Sequence, residues 1–328
     1  MPPRKAAPAS DKPYSDFIQP FLIDHSLIRG RLVRLNKALD NILGAHNYPL
    51  PVSLHLAEQI VLTALLSATL SGDDILTVQA KGEGPVRFMV VDAMAGGAIR
   101  GYAEVDEEAL KKTIGKSNPA GLTKIMGKGY LAVTLDSGRE KRRYQGIVEL
   151  TGDSLSEALK AYFLQSQQAE MQVHVAIRPP EAKAPDKKNE GWRAGGIIIE
   201  RMPNEGGRQG DSTPEEQDDL WLRSGYFMQT LKDAEMLNAN VTPQNLLYRL
   251  FSEDGVWVYK LQPLKSGCRC SRERVSAVLK SLPQEELLDA LEDDKLTIHC
   301  QFCNKREVFT GAQVRRLYRK PRTRKKAK

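Results

Sequence analysis

The chain has 328 residues, 41% hydrophobic and 27% charged, with a net charge of +7, the balance of an ordinary soluble globular protein with a sizeable core. The longest uncharged apolar stretch, residues 59–72, has 14 residues, too short to span a bilayer, and the opening MPPRKAAPASDKPYSD lacks the apolar stretch of a secretory signal. A cytoplasmic location is therefore expected, where thiols stay reduced and disulfide frameworks are rare.

The length suits one large domain with a smaller one, or two domains and a linker. The charge is unevenly placed. Residues 315–328, RRLYRKPRTRKKAK, carry nine Lys and Arg and no acid, so the +7 of the whole leaves −2 for the remainder. Such a run reads as a solvated end, and it can also attract nucleic acid or an acidic membrane surface without specificity.

Residues 1–13, rich in Pro, Ala and Lys, are expected to be disordered. In LIRGRLVRLNKALDNILGAHNYP the stripe Leu35, Leu39, Ile42 and Leu43 predicts a helix in the second half, stopped by Gly44 and Pro49. Residues 51–70 place Leu54, Ala57, Val61, Ala64, Leu65 and Ala68 at helical spacing and are apolar on several faces beyond Ile60, which predicts a buried core helix. DILTVQA, GPVRFMVVDA, AIRGYAEV, YLAVTLD and YQGIVELTG follow, parted by glycine-rich turns, and predict sequential antiparallel strands. Ser154 and Glu157 make a capping-box pattern ahead of another helix. MQVHVAIRP and GIIIERM predict two more strands around a polar loop. Helices, then strands, then a helix and strands again predict an α+β core rather than a doubly wound sheet.

A glycine-dense and then acidic stretch after Pro203 marks a domain boundary. Thr213-Pro214 with Glu216 predicts a capped helix carrying Leu220, Ser224, Phe227, Leu231 and Ala234 on one face. Thr242-Pro243 opens a second helix with Leu246, Leu247, Leu250 and Phe251, and VWVY at 256–259 predicts a short strand. The glycine pairs in GEGPVR and GKGY lack the strand–glycine–helix setting of a phosphate site. His25, His46, His55 and His174 are scattered, and no Ser/His/Asp or paired-carboxylate arrangement is visible. An enzyme is not expected.

All four cysteines fall late: C-x-C at Cys268 and Cys270, and C-x-x-C at Cys300 and Cys303, with 29 residues between the pairs. Four thiolates can complete a tetrahedral shell around Zn²⁺. In an extended strand the two C-x-C residues would lie about 6.5 Å apart, so the chain must bend, and Gly267 is expected to supply the freedom. LTIHCQFCNKREVFT predicts a strand, a knuckle turn and a return strand, while SRERVSAVLKSL and PQEELLDAL predict two short helices. A domain of about 50 residues built this way has little core and draws much of its folding energy from metal. A closed structural zinc site is one reading. A redox switch is another, because Arg269, Arg272, Arg274, Lys305 and Arg306 flank the pairs and positive charge lowers thiol pKa. Each pair is also close enough for a next-neighbour disulfide. A thioredoxin-like oxidoreductase is disfavoured, since the C-x-x-C lies in a late knuckle and not at a helix start. His299 is not needed as a ligand and reads as a strand residue.

The sequence resembles the redox-regulated holdase chaperones of the heat-shock protein 33 family over roughly Ser15 to Val314. The resemblance is carried by CRCSRER followed by HCQFCN, and by HNYPLPV, GDDILTVQAKGEGP, YQGIVELTGDSLSEALKAYFLQSQQ and AGGIIIERMP. It implies an α+β core domain over 14–205, a redox-responsive linker over 206–263 and a zinc domain over 264–315, and the charge run beyond these is expected to be a basic disordered tail over 316–328. It implies one Zn²⁺ per chain on Cys268, Cys270, Cys300 and Cys303 in an inactive reduced form. Oxidation to Cys268–Cys270 and Cys300–Cys303 disulfides would release zinc, unfold the zinc domain and loosen the linker. Unfolding client proteins would then be held without ATP. Implied partners are those clients, a second copy in the active form, and an ATP-dependent chaperone system for client hand-over, with no specific nucleic acid and no membrane. Leu220, Trp221, Phe227, Met228 and Leu231 would form a sticky, client-binding segment. The insertion around Ala182–Glu190 and the basic tail depart from the family's pattern. The alternative, a zinc-ribbon nucleic-acid binder using the tail, is disfavoured because the knuckle lacks base-stacking aromatics.

Overall fold

The chain opens on strands, ahead of the helix that the stripe around Leu39 predicts. Phe17–Ile23 (β1) and Ile28–Leu35 (β2) pair antiparallel. Both are buried on both faces, so they lack the in–out polar alternation that marks a half-exposed strand. Three arginines in β2 hid it further. The computed structural model describes residues 16–24, 28–115, 120–138, 142–180, 191–202 and 213–318. The expected disordered N-terminus, the insertion at 182–190, His25 and the tail beyond Tyr318 lie outside them. Two units divide the chain, one through Gly267 and one from Cys268.

In the first unit the strands are followed by Lys37–Leu43 (α1) and Leu50–Leu66 (α2), the latter extended by a 3₁₀ turn at Ser67–Thr69. Then come Ile75–Gly82 (β3), Val86–Met94 (β4), Ala98–Val105 (β5), Glu107–Ile114 (α3), Leu122–Met126 (α4), Gly129–Ser137 (β6) and Arg142–Glu149 (β7). Leu155–Tyr162 (α5), Met171–Arg178 (β8) and Arg193–Arg201 (β9) complete the expected core. Beyond it lie Pro214–Thr230 (α6), Asp233–Met236 (α7), Pro243–Phe251 (α8), Val256–Val258 (β10), Gln262–Pro263 (β11) and Lys265–Ser266 (β12). The short helices α3 and α4 were not foreseen. Neither is long enough to show a stripe, although Asp106 caps α3 by accepting from the Ala109 N–H at 3.0 Å.

One sheet runs β10-β1-β2-β9-β8 with β11 also on β1, and the other runs β12-β5-β4-β3-β6-β7. All pairings are antiparallel except β12 with β5. Helix α2 touches β2, β8 and β9 of one sheet and β3, β4 and β5 of the other, which explains why it is apolar on several faces. With its 3₁₀ turn the segment Leu50–Thr69 is long and apolar enough in composition to cross a membrane, against the shorter stretch read from sequence. Its apolar window, however, is 78% buried inside the protein, as a core helix is. The Ser154 cap holds: its side chain accepts from the Glu157 N–H, while the Glu157 carboxylate accepts from Asp153 N.

The opposite face of the first sheet carries α6, α7 and α8. Phe17, Phe21, Ile23, Ile28, Leu32, Ile197 and Ile199 of the strands share a core with Leu220, Trp221, Met228, Leu246, Leu247 and Phe251 of the helices. Two polar side chains on this face grip backbone. Arg34 donates to the carbonyls of Val241 and Glu235 at 2.5 and 3.4 Å, and Gln19 donates to Tyr259 O at 2.6 Å. The Thr213–Glu216 capping box at the start of α6 forms as the sequence predicts.

The second unit comprises Arg272–Leu279 (α9), Gln284–Asp289 (α10), Lys295–His299 (β13), Arg306–Thr310 (β14) and Gly311–Leu317 (α11). Its buried apolar core is Leu279, Leu287, Leu296, Phe309 and Val314. The expected start of the zinc domain at 264 falls within the first unit, where β12 pairs with β5. The expected end at 315 cuts a helix: Thr310 and Gln313 make a reciprocal capping box for α11, and the Tyr318 hydroxyl lies 2.6 Å from both Leu279 O and Leu282 O. The basic run disguised this helix, because its charges sit on residues whose partners, Val314 and Tyr318, do the packing. Truncation after Tyr318 is expected to leave metal content and thermal unfolding unchanged. Truncation after Val314 is expected to lower the unfolding temperature of this unit, which calorimetry of the two full-length-derived chains would read.

Candidate metal centre

The four sulfurs converge from two local structures. Cys268 and Cys270 lie in the irregular segment between β12 and α9, whose first turn is capped by Ser271 accepting from the Arg274 N–H. Gly267 serves a different purpose from the one expected. A Cβ there would come within 2.9 Å of the Ala98 Cβ, so its role is close approach to β5, and its φ is not in the left-handed region. Cys300 and Cys303 lie in the knuckle between β13 and β14. The turn closes through Cys300 N to Lys305 O at 3.0 Å and Asn304 N to Cys300 O at 2.8 Å. Asn304 takes a φ of 53°, which asparagine tolerates better than most residues. His299 pairs with Arg306 at the end of the β13–β14 ladder, a strand residue as predicted.

All four Sγ atoms lie within 4.8 Å of one another. Cys268 lies 3.6 Å from Cys300, and Cys270 lies 3.4 Å from Cys303. A Zn–S bond of about 2.3 Å in a tetrahedron sets neighbouring sulfurs about 3.8 Å apart, so the donor set has the size and chemistry to hold such an ion. None of the four forms a disulfide. Among the described residues this is the only such group of His, Cys, Asp or Glu, and His46, His55 and His174 take no part. His46 stacks on Tyr48, His55 contacts Ala120 O, and His174 lies 3.0 Å from Asp233.

Three of the basic residues around the thiols also bond to groups other than the sulfurs. Arg272 hydrogen-bonds Glu307, Val308 O and Gln313 at 3.0–3.1 Å and lies 4.1 Å over the Phe309 ring. It ties α9 to β14 and α11. Lys305 pairs with Glu307 at 2.9 Å, and Arg274 donates to Arg269 O at 2.8 Å. Burial, and then the neighbouring thiols, push the Cys270 thiol well above its ordinary range, and burial pushes Cys303 up as well. Sulfurs this close share negative charge only when a cation balances it. Each single Cys→Ser variant is expected to lower the metal content of the purified reduced chain sharply. Full metal occupancy in Cys268→Ser would remove that residue from the ligand shell.

The segment expected to meet clients is covered. Leu220, Trp221, Met228 and Leu231 are buried against the first sheet, and Phe227 packs partly buried beside them. What the sequence reading missed is the polar grip of Gln19 and Arg34 and the keystone role of Arg272. A charged residue inside the apolar strand IRGRLVRL was the available signal for Arg34.

Fold and centre together define a two-unit α+β protein with a thiol-lined metal-type site in its smaller, C-terminal unit. The description "Hsp33 protein" matches residues 16–310, and the chain belongs to that family of chaperones. A "33 kDa chaperonin" of Caulobacter vibrioides is 36% identical over 292 residues, covering 88% of this chain and 93% of its own. Another of that name from Pseudomonas putida is 34% identical over 311 residues, covering 94% and 95%. The crystal structure of the Thermotoga maritima 33 kDa chaperonin has the same fold, with a TM-score of 0.76 at 21% identity, covering 93% of this chain and 98% of that one.

Proposed function

We propose that this chain is a redox-regulated, ATP-independent holdase that is inactive when reduced and metal-bound. The observation that carries the reading is the convergence of four sulfurs within 4.8 Å in a unit with five buried apolar side chains among the described residues. One Zn²⁺ per chain would supply much of that unit's folding energy and keep all four sulfurs as thiolates. Cys268, Cys270, Cys300 and Cys303 are its ligands. Oxidation joins Cys268 to Cys270 and Cys300 to Cys303, which removes the ligand set. Next-neighbour pairing joins sulfurs that are adjacent in sequence and lie within 4.8 Å of one another, as all four do. The segment over 206–263 acts as the responsive linker. Its release would bare Leu220, Trp221, Phe227, Met228 and Leu231 together with the sheet face beneath them. Unfolding proteins are the clients, held in the cytoplasm by a dimeric active form and passed to an ATP-dependent chaperone system.

The test is suppression of aggregation of a thermally unfolding model protein, before and after treatment with peroxide at raised temperature. Suppression only after oxidation is expected, with thiol loss and metal release in step. Strong suppression by the fully reduced, metal-loaded chain would sink the switch. Disulfide mapping that found Cys268 joined to Cys300 would overturn the pairing alone.

A further inference from the structure

A groove of about 340 Å³ lies beside the thiol centre, within the size range of small-molecule sites. Its walls are apolar: Val275, Val278 and Leu279 of α9, Leu282 just beyond, and Ile298 of β13. Val278 and Leu282 are 63% and 42% exposed, so this wall of the groove is open to solvent. Cys270 and Cys300 line the groove, whereas Cys268 and Cys303 do not. Two cations also border it. Lys305 is neutralised by Glu307. Exposed Arg274 hydrogen-bonds only the Arg269 carbonyl and has no carboxylate partner among the described residues.

Apolar walls, one unneutralised guanidinium and two oxidisable sulfurs together select a long-chain anion that carries an oxidant. We propose that this groove admits fatty-acid hydroperoxides to the thiol centre, so that Cys270 and Cys300 are oxidised first. The proposal rests on the redox-switch reading and specifies the oxidant that the switch prefers. A sulfur of Cys270 or Cys300 attacks the terminal oxygen of the hydroperoxide. The O–O bond breaks, the remaining oxygen leaves as the fatty alcohol after taking a proton, and the sulfur becomes a sulfenic acid. The thiol of Cys268 or Cys303 then displaces that hydroxyl as water and forms the S–S bond. Per disulfide, two thiols lose two electrons, and one hydroperoxide becomes one alcohol and one water.

The experiment uses the reduced, zinc-loaded full chain with linoleic acid hydroperoxide, its methyl ester, or hydrogen peroxide, each below micelle-forming concentration. Thiol loss and released zinc are followed with dyes. The rate ratio of lipid hydroperoxide to hydrogen peroxide is expected to be at least about tenfold higher on the folded chain than on the denatured chain, the gain from seating a few methylenes. Val278→Gln with Leu282→Gln is expected to return the ratio to the denatured value with the hydrogen peroxide rate unchanged. Arg274→Gln is expected to slow the acid several-fold and leave the ester untouched, and it decides the question should the double variant lose zinc. Early trapping with dimedone is expected to label Cys270 and Cys300. Equal ratios on folded and denatured chains, or first labelling at Cys268 and Cys303, would overturn the groove. Aggregation suppression gained with hydrogen peroxide but without lipid preference overturns the groove and leaves the switch standing. Lipid preference without any gain in suppression supports the groove and overturns the switch.

Discussion

Stripping the metal from the reduced chain with a chelator is expected to unfold residues 268–318 and leave the paired strands β3, β4 and β6 protected. Four-ligand zinc sites contribute about 10 kcal/mol or more to the folding of small domains. The second unit offers only Leu279, Leu287, Leu296, Phe309 and Val314 as a buried core, too few to hold about fifty residues without such a staple. Arg272 cannot substitute for it. Its contacts with Glu307, Val308 and Gln313 need α9, β14 and α11 already in place. Hydrogen exchange with mass mapping reads the result on the intact chain. Full amide protection across β13 and β14 after complete metal removal would show that the unit holds itself, and loss of ligands could not then be the unfolding signal.

The second large effect is expected from Phe251→Ala. Phe251 is fully buried and stacks on Phe21 with ring centroids 5.9 Å apart, at the centre of the core that α6 and α8 share with the sheet. Truncation of such a ring costs about 3–5 kcal/mol. The loss falls on the docked helices, which depend on tertiary packing more than on their own propensity. The reduced, metal-loaded variant is therefore expected to suppress aggregation without oxidant, with fast amide exchange over 214–258. Leu76→Ala, a comparable truncation among the buried residues around α2, serves as the control and is expected to stay inactive. Fast exchange over the helices without any gain in suppression would separate linker release from client holding.

Most of the centre was legible because four cysteines in two tight motifs leave few alternatives, and the knuckle, α9 and α10 follow from local patterns. The core helix α2, the capping box at Thr213 and the simple cap at Ser154 were legible for the same reason: a cap or a stripe is a local signal. What stayed hidden depends on distant partners. Strands β1 and β2 are buried on both faces only because α2 lies on one side and α6, α7 and α8 on the other. The arginines near the thiols looked like activators of cysteine until Glu307, Gln313 and the Phe309 ring took up Arg272. Helix α11 was masked by charge, since its anchoring Tyr318 bonds to carbonyls some 36 and 39 residues away in sequence.

Arg34 stands 2% exposed in the middle of the sheet face under the helices, with its guanidinium turned to the carbonyls of Val241 and Glu235. A hydrophobe of similar volume there would leave those carbonyls without this donor. The guanidinium thereby favours one register: greasy helices could settle on a greasy sheet in many alignments, but few of them return two carbonyls to one guanidinium. Were these helices released and docked again as proposed above, closure would be a search for a single address. The resting state recovered would then be the one that was left, not a chain stuck half shut.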